Sequence, residues 1–355
     1  MRPDGGRPAR SRLRRLAVAL AAVATLLGAG LGPAVAGASA PTRTPFILYN
    51  GQHEQTADAI VDAFEAATGI PVEMRDDDED TLIDEIVAEG ENSPADVIYT
   101  ENSLPLEYLE ERGLLARLPA ATLAHTPARY DSPAGDWVGV SARDSVIIYN
   151  PSLIRRSALP TSIAQLAEPR YRGLLAFAPE ETDFQPVIVA YERAYGRAAT
   201  LAWLRGIKAN ADGHIYPDNE TIADEVNRGA VAFGVVNQYY WYRMRAEIGR
   251  ANMHSAITYF RPRDPGYIVD VSGAAVLKSA RDRGEAEAFV AFLVGRRAQE
   301  IIGGHSLSFE YPLADGVQTS APETPFADLR PYPITIAELG DGASAIALLR
   351  AAGLL

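Results

Sequence analysis

Two adjacent phenols, Tyr239 and Tyr240, stand in the run Asn237-Gln238-Tyr239-Tyr240-Trp241-Tyr242, directly after the apolar stretch Val231 to Val236. Two more polar groups follow apolar runs in the same way, His53 in Asn50-Gly51-Gln52-His53 and Glu101 in Tyr99-Thr100-Glu101-Asn102. One imidazole, one carboxylate and two phenols make a donor set for a hard, highly charged cation. Oxygen donors match hard metals, and a phenol of pKa ~10 surrenders its proton at neutral pH only to a strong Lewis acid. Ferric iron meets that requirement. Calcium and magnesium prefer carboxylates, carbonyls and water, and zinc prefers thiolate or imidazole-rich sets. Each residue also has an ordinary use: paired aromatics pack cores, a histidine after a strand caps a helix, and a glutamate there sits at a helix N-terminus.

The elements that must position these groups read as alternating strands and helices. Phe46-Ile47-Leu48-Tyr49 is a strand, Ala57, Ile60, Val61 and Phe64 recur at helical spacing, and Gly69 stops that helix before Val72-Glu73-Met74. A second helix carries Leu82, Ile83, Ile86 and Val87 and leads to the strand Asp96 to Tyr99. Repeated β-α-β units imply a parallel sheet. Two strand-like runs flank Arg143 between Trp137 and Tyr149, and a second alternation runs through Leu174 to Phe177, a helix at Ile222 to Asn227 and the strand before the tyrosines. Tyr267 to Val271 and Ala274 to Leu277 read as two more strands, and an Ala-Leu-rich helix covers Ala343 to Ala352. In open α/β sheets ligands bind beyond the carboxyl ends of the strands, so His53, Glu101 and the tyrosines share one kind of topological position.

The chain has 355 residues, more than one hydrophobic core usually organises, so two lobes are expected. It contains no cysteine, which excludes disulfides, zinc fingers and iron-sulfur clusters. Residues 1–40 begin with clustered arginines, continue with an apolar run from Leu16 to Leu31 and end near Ala34-Val35-Ala36, the pattern of a cleaved export signal. The run is short for a membrane span, and the absent cysteine removes a lipid anchor, so a released chain is expected. The whole chain carries −13, and removal of the net +5 of residues 1–40 leaves −18, which disfavours nucleic acid and anionic membranes as partners. Asp76-Asp77-Asp78-Glu79-Asp80 lacks the glycine and distal glutamate of a calcium loop and reads as helix N-terminal charge. His125, His214, His254 and His305 have no metal-ligand spacing.

Taken together, Tyr49-Asn50-Gly51-Gln52-His53, Pro94-Ala95-Asp96-Val97, Tyr99-Thr100-Glu101, Asn237 to Tyr242, Asp264-Pro265-Gly266, Ser272 to Leu277 and Glu310-Tyr311-Pro312-Leu313 resemble the bacterial periplasmic ferric-ion-binding proteins, the transferrin-like receptors of iron ABC importers. The resemblance runs in order through most of the chain after residue 40, and the double tyrosine is its most specific part. It implies an α/β, two-lobed type II periplasmic solute-binding fold with a two-strand hinge near Val146 to Tyr149 and Tyr267 to Val271. The first lobe would comprise residues 41–145 and 270–320, the second 146–269 and 321–355. His53 and Glu101 would ligate Fe(3+) from the first lobe, and Tyr239 and Tyr240 from the second. The partner implied is the membrane permease of the importer, the location periplasmic or extracellular, and the state monomeric.

The family also holds a small anion, phosphate or carbonate, on the iron. Asn219 and Asn237 match positions that contribute to its pocket, and Asn102 and Arg143 lie near the cleft in the same comparison. The departure is Pro179-Glu180-Glu181-Thr182-Asp183-Phe184, where relatives have a helix start of small residues whose N–H groups meet the anion. Glu181 or Asp183, if turned into the cleft, would repel phosphate and let a carboxylate or water complete the iron shell. Two other readings remain. A binding protein for an organic cation such as a polyamine or thiamine would use the same architecture, with the tyrosines stacking on the ligand. An exported hydrolase is the other, against which stands the lack of a Gly-x-Ser-x-Gly elbow or His-Glu-x-x-His helix.

Overall fold

The structure, a computed structural model, describes residues 43–304, 307–314, 316–317, 319 and 323–355. The export signal expected at residues 1–40 and His305 lie outside the described residues. Ten strands are present among them: β1 Phe46–Asn50, β2 Val72–Asp76, β3 Val97–Thr100, β4 Leu115–Ala116, β5 Trp137–Tyr149, β6 Leu175–Ala176, β7 Phe233–Asn237, β8 Ala256–Thr258, β9 Val269–Leu277 and β10 Tyr311–Pro312. The main path runs β2-β1-β3-β9-β5-β7-β6, with β4 on β9 and both β8 and β10 on β5.

The first β-α-β units behave as their spacing predicts. Ala57, Ile60, Val61 and Phe64 are buried on one face of helix Glu54–Thr68, which ends where Gly69 adopts a left-handed φ of 66°. A left-handed residue at this position favours glycine, because any Cβ would crowd the backbone. Phe46 on β1, Phe64 on that helix and Phe289 on helix Arg283–Leu293 pack ring against ring at centroid distances of 5.1–6.0 Å, edge-on at Phe64 and tilted between Phe46 and Phe289. Such contacts add about 0.5–1.5 kcal/mol each beyond area burial, and they seal one face of the sheet.

The sheet is mixed, not parallel throughout. β1 pairs with β2 and β3 in parallel, but β9 runs antiparallel to both β3 and β5, and β5 antiparallel to β7. The sequence signal for parallel strands came from β-α-β units whose helices make each crossover. β9 arrives instead from the other half of the molecule and returns down the centre.

Two expected breaks also vanish. Trp137–Tyr149 is a single strand, buried throughout, with one irregularity between Gly139 and Ser141. Val269–Leu277 is likewise continuous through Ser272-Gly273, where the Ser272 and Ser141 hydroxyls lie 2.6 Å apart. Small polar residues look like a turn in sequence, but here they allow two central strands to approach closely.

β5 belongs to both halves. Residues through Asp144 pair with β9, and from Ser145 onward the partners are β7 and β8. Ser145 donates to the Gly266 carbonyl at 2.7 Å and accepts the Ile268 N–H at 2.9 Å, pinning the two crossing strands together. The crossing therefore lies at Asp144-Ser145 and Ile268-Val269, upstream of the expected Val146 to Tyr149. Those apolar residues already belong to the second half-sheet. The final helix, Ala343–Ala352, packs on helices Gln185–Tyr195 and Arg197–Ala211 of that half. No helix among the described residues is long and apolar enough to cross a membrane.

Candidate metal centre

The loop after β1 is built to aim an imidazole. Asn50 donates to the Gln52 carbonyl and to Asp76, both at 2.7 Å, and the Gln52 side chain accepts the His53 N–H at 2.8 Å. The His53 carbonyl then accepts the first N–H groups of helix Glu54–Thr68. His53 thus begins a helix through its backbone while its ring turns to Glu101, with Nδ1 2.9 Å from Oε1. A proton on Nδ1 leaves the lone pair on Nε2, which is buried without a hydrogen-bond partner.

Glu101 and Asn102 lie in the bend after β3, and Glu79 holds that bend. One Glu79 oxygen accepts the backbone N–H groups of Glu101 and Asn102 at 3.0 and 3.2 Å, and the other accepts Asn102 Nδ2 at 2.8 Å. Burial and the nearby Glu101 push the Glu79 carboxyl up to about 8 against these donors. A Cβ on Gly51 would fall 2.7 Å from the Glu79 Cβ, so glycine is what lets the two loops meet. The run Asp76 to Asp80 does lie at a helix start, that of helix Glu79–Glu89, with Asp77 and Asp78 exposed and Glu79 buried.

From the other half, β7 ends at Asn237 and helix Gln238–Ile248 begins at once, so both tyrosines occupy its first turn. Their rings lie 4.2 Å apart, and the His53 ring stands edge-on at 5.1 Å from Tyr239 and 6.3 Å from Tyr240. The Tyr239 hydroxyl donates to Asp183 Oδ2 at 3.0 Å, and the same oxygen accepts Asn219 Nδ2 at 3.1 Å. Glu181 accepts the Asn219 N–H at 3.2 Å. Asn219 opens helix Asn219–Asn227, but its cap is Asp218, which accepts the Thr221 N–H at 2.6 Å. Asn237 is buried close to Asp183 and Asn219.

Two guanidinium groups flank this acidic set. Arg143, almost wholly buried, donates to Glu310 at 2.6 Å and to Asn102 at 3.4 Å, and lies 5.5 Å from the Tyr239 ring centre. Arg243 lies 5.5 and 5.9 Å from the two tyrosine rings. Burial pushes the Glu101 carboxyl up, but His53, Arg143 and Arg243 outweigh it and hold its pKa below the ordinary value. Tyr239 and Tyr240 both rise well above a free phenol, through burial first and the nearby Asp183 next. Asp183 and Glu181 rise as well, through burial first and mutual or Glu101 repulsion next. Carboxylate oxygens of Glu101, Glu181 and Asp183 come within 4.8 Å of one another. A multivalent cation relieves all of these strains at once.

Residues 92–327 match the profile of the bacterial extracellular solute-binding proteins. The chain belongs to that family. This solute-binding protein is 36% identical over 309 residues to the Fe(3+)-binding periplasmic protein of Serratia marcescens, covering 87% of the chain and 90% of the relative. It superposes on iron-bound HitA from Pseudomonas aeruginosa with a TM-score of 0.84 at 40% identity, covering 88% and 100% of the two chains. A Trichodesmium protein (IdiA, FutA) in complex with iron and citrate matches at TM-score 0.74 and 27% identity, covering 88% and 100%. The two-lobed fold expected from sequence is the fold of these neighbours.

The structure of the solute-binding protein brings His53, Glu101, Asn102, Arg143, Glu181, Asp183, Asn219, Asn237, Tyr239 and Tyr240 into one region. Three participants went unrecognised in the sequence. Arg243 follows Tyr239 by four residues and Tyr240 by three, so placing the tyrosines on a helix would have found it. Glu79 looked like one more acid in an acidic run. Glu310 lay in a matching motif, but its partnership with Arg143 spans 167 residues. Of the remaining histidines, His214 contacts Tyr216, away from this set.

Proposed function

We propose that this protein captures ferric iron between its two lobes, ligated by His53 and Glu101 on one side and Tyr239 and Tyr240 on the other, and presents it to the permease of an ABC importer. The first lobe comprises residues 41–145 and 270–320, the second residues 146–269 and 321–355. Residues 1–40 direct export and are removed, and the protein acts outside the cytoplasmic membrane as a carrier that breaks no bond. The observation that carries the reading is the pair of buried phenols in ring contact, facing an imidazole-carboxylate pair from across the β5–β9 crossing. Since each side holds only part of the donor set, the ion favours the arrangement that brings both together, and that arrangement is what a permease can distinguish.

The rings also weigh against an organic cation stacked in the cleft. A planar ligand between His53 and Tyr239 needs about 3.5 Å on each side, and the observed centroid separation is 5.1 Å.

The test is iron titration followed by absorbance, since tyrosinate on ferric iron gives a visible charge-transfer band. The parent protein should colour with one equivalent of iron. Tyr239→Phe and Tyr240→Phe should each weaken binding by more than the ~10–100-fold that loss of an outer-shell partner costs, with unfolding of the iron-free protein little changed. Undiminished affinity in both variants would sink the assignment.

A further inference from the structure

We infer that a groove at the seam between the two halves, apart from the metal centre, is a binding site for a small aliphatic diamine, which bridges the halves when bound. The inference uses the two-lobed arrangement proposed above but not the identity of the metal.

The groove encloses about 360 Å3 and takes its walls from both sides of the β5–β9 crossing. That volume falls at the small end of the ~300–1,000 Å3 usual for small-molecule sites. Asp80 and Asp84 reach the groove from helix Glu79–Glu89, and Leu104 opens the next helix beside them. Opposite stand Gln185, at the start of helix Gln185–Tyr195, and Asp341, in the bend before helix Ala343–Ala352.

Gln185 is the residue that calls for a ligand. It lines the groove at only 8% exposure, and among the described residues its carboxamide has no hydrogen-bond partner. Gly342, at a left-handed φ of 76°, leaves room for it, since a Cβ there would fall 2.7 Å from Gln185 Oε1. A carbonyl oxygen held in this way, with carboxylates around it and no donor of its own, suits an ammonium N–H.

Charge sets the valence of the ligand. Asp80, Asp84 and Asp341 share the groove with one guanidinium, Arg350, so three negative charges against one positive leave −2. None of these four groups has an ion-pair partner among the described residues. Asp80 and Asp84 stand one helical turn apart, where like charges repel. Burial, then Asp84 and Asp78, hold the Asp80 carboxyl above its ordinary pKa.

A bare metal ion fits this arrangement poorly. Oxygens of Glu101, Glu181 and Asp183 converge within 4.8 Å of one another, whereas those of Asp80, Asp84 and Asp341 do not. One ion with bonds of about 2.0–2.6 Å therefore cannot collect all three. Two ammonium groups joined by a short chain of methylenes can serve both walls, with the methylenes against Leu104 and Ile346. Alkylammonium groups, like the lysine side chain of pKa ~10.4, are charged at neutral pH. A ligand held by both walls favours the arrangement in which the walls face each other.

The experiment titrates 1,4-diaminobutane into the iron-free protein by calorimetry at neutral pH and low ionic strength, with n-butylamine and magnesium chloride as comparisons. The parent should bind one equivalent of diamine, and the two comparison cations more weakly. Gln185→Leu should lose about tenfold or more in diamine affinity, the worth of a hydrogen bond to a charged group. Asp341→Asn should lose about 2–5-fold, the worth of a partly exposed ion pair, with parental thermal unfolding, and Arg350→Gln should gain. In the iron-loaded parent, diamine should slow iron removal by a chelator, and in Gln185→Leu the same diamine concentration should slow it less. A parent with no saturable diamine binding overturns the inference. So does butylamine or magnesium binding as tightly as the diamine, which marks a diffuse acidic surface, or parental affinity in both Gln185→Leu and Asp341→Asn. Diamine binding that leaves iron removal unchanged overturns the bridging. A protein that binds diamine but no iron removes the functional reading and leaves the groove as assigned.

Discussion

Tyr239 and Tyr240 are poorer acids in this setting than free phenols, because burial and the surrounding carboxylates both penalise the phenolate. The sign of the pH dependence follows. With pKa values raised above the ordinary ~10, both hydroxyls are protonated before loading at neutral pH, so ferric iron must expel about two protons. Apparent affinity should rise about 100-fold per pH unit near neutrality and fall by the same factor on acidification. Proton release in a weakly buffered titration checks this, and a count near zero would argue against phenolate ligation. At this scale the sequence was highly legible: residue chemistry alone pointed to a hard cation, and His53, Glu101 and both tyrosines do converge. What it could not show was Asp183 Oδ1 left without a partner, or the Arg143–Glu310 ion pair. Those depend on which side chains meet across long separations, and no local pattern encodes them.

Helix Glu79–Glu89 does more than fill the sheet's face, since its first residue carries the bend that holds Glu101. Glu79→Ala would strand two buried backbone N–H groups and an amide, each worth about 1–3 kcal/mol. Thermal unfolding should shift down by several degrees, on the scale of about 2–4 °C per kcal/mol for a domain of this size. Iron affinity should fall in the same variant, because the Glu101 carboxylate loses its fixed aim. A variant with parental melting and parental affinity would refute this role. The acidic run does supply helix N-terminal charge, but the role of Glu79 was not visible in it, because Glu79 is buried under a loop 22 residues away in sequence. Element boundaries defined by periodicity, such as helix Glu54–Thr68, were readable. The joining of two apparent strands into β5, and of two more into β9, was not, since Gly and Ser in a central strand carry the same signature as a turn.

For the molecule as a whole, the proposed ligands fall on either side of the Asp144-Ser145 crossing, so parting of the halves should govern unloading. An external chelator reaches the ion only after the halves part, so the rate of iron removal should rise with chelator concentration and then level off at the opening rate. Asn102 and Thr182 bridge the halves through a 2.9 Å hydrogen bond. Thr182→Val removes it, and about 0.5–1.5 kcal/mol of lost closure should raise the plateau roughly 2–10-fold. Stopped-flow removal by a strong chelator measures both effects, and a rate that climbs without limit in the parent would contradict gating by closure. The two-lobed plan was legible because alternating β-α-β units recur on both sides of β5.

The place of β9 has a consequence for how the chain comes into being. Strands β1 to β3 are made within the first hundred residues, yet the neighbour that closes β3 on its inner edge is Val269–Leu277. A nascent chain emerging from the ribosome carries an unfinished sheet edge for more than 150 residues of further synthesis. Contacts of such long sequence separation are slow to form. The polypeptide therefore stays open long after its first strands exist, which is the state a chain must keep if it is to be threaded through a translocation channel before it folds.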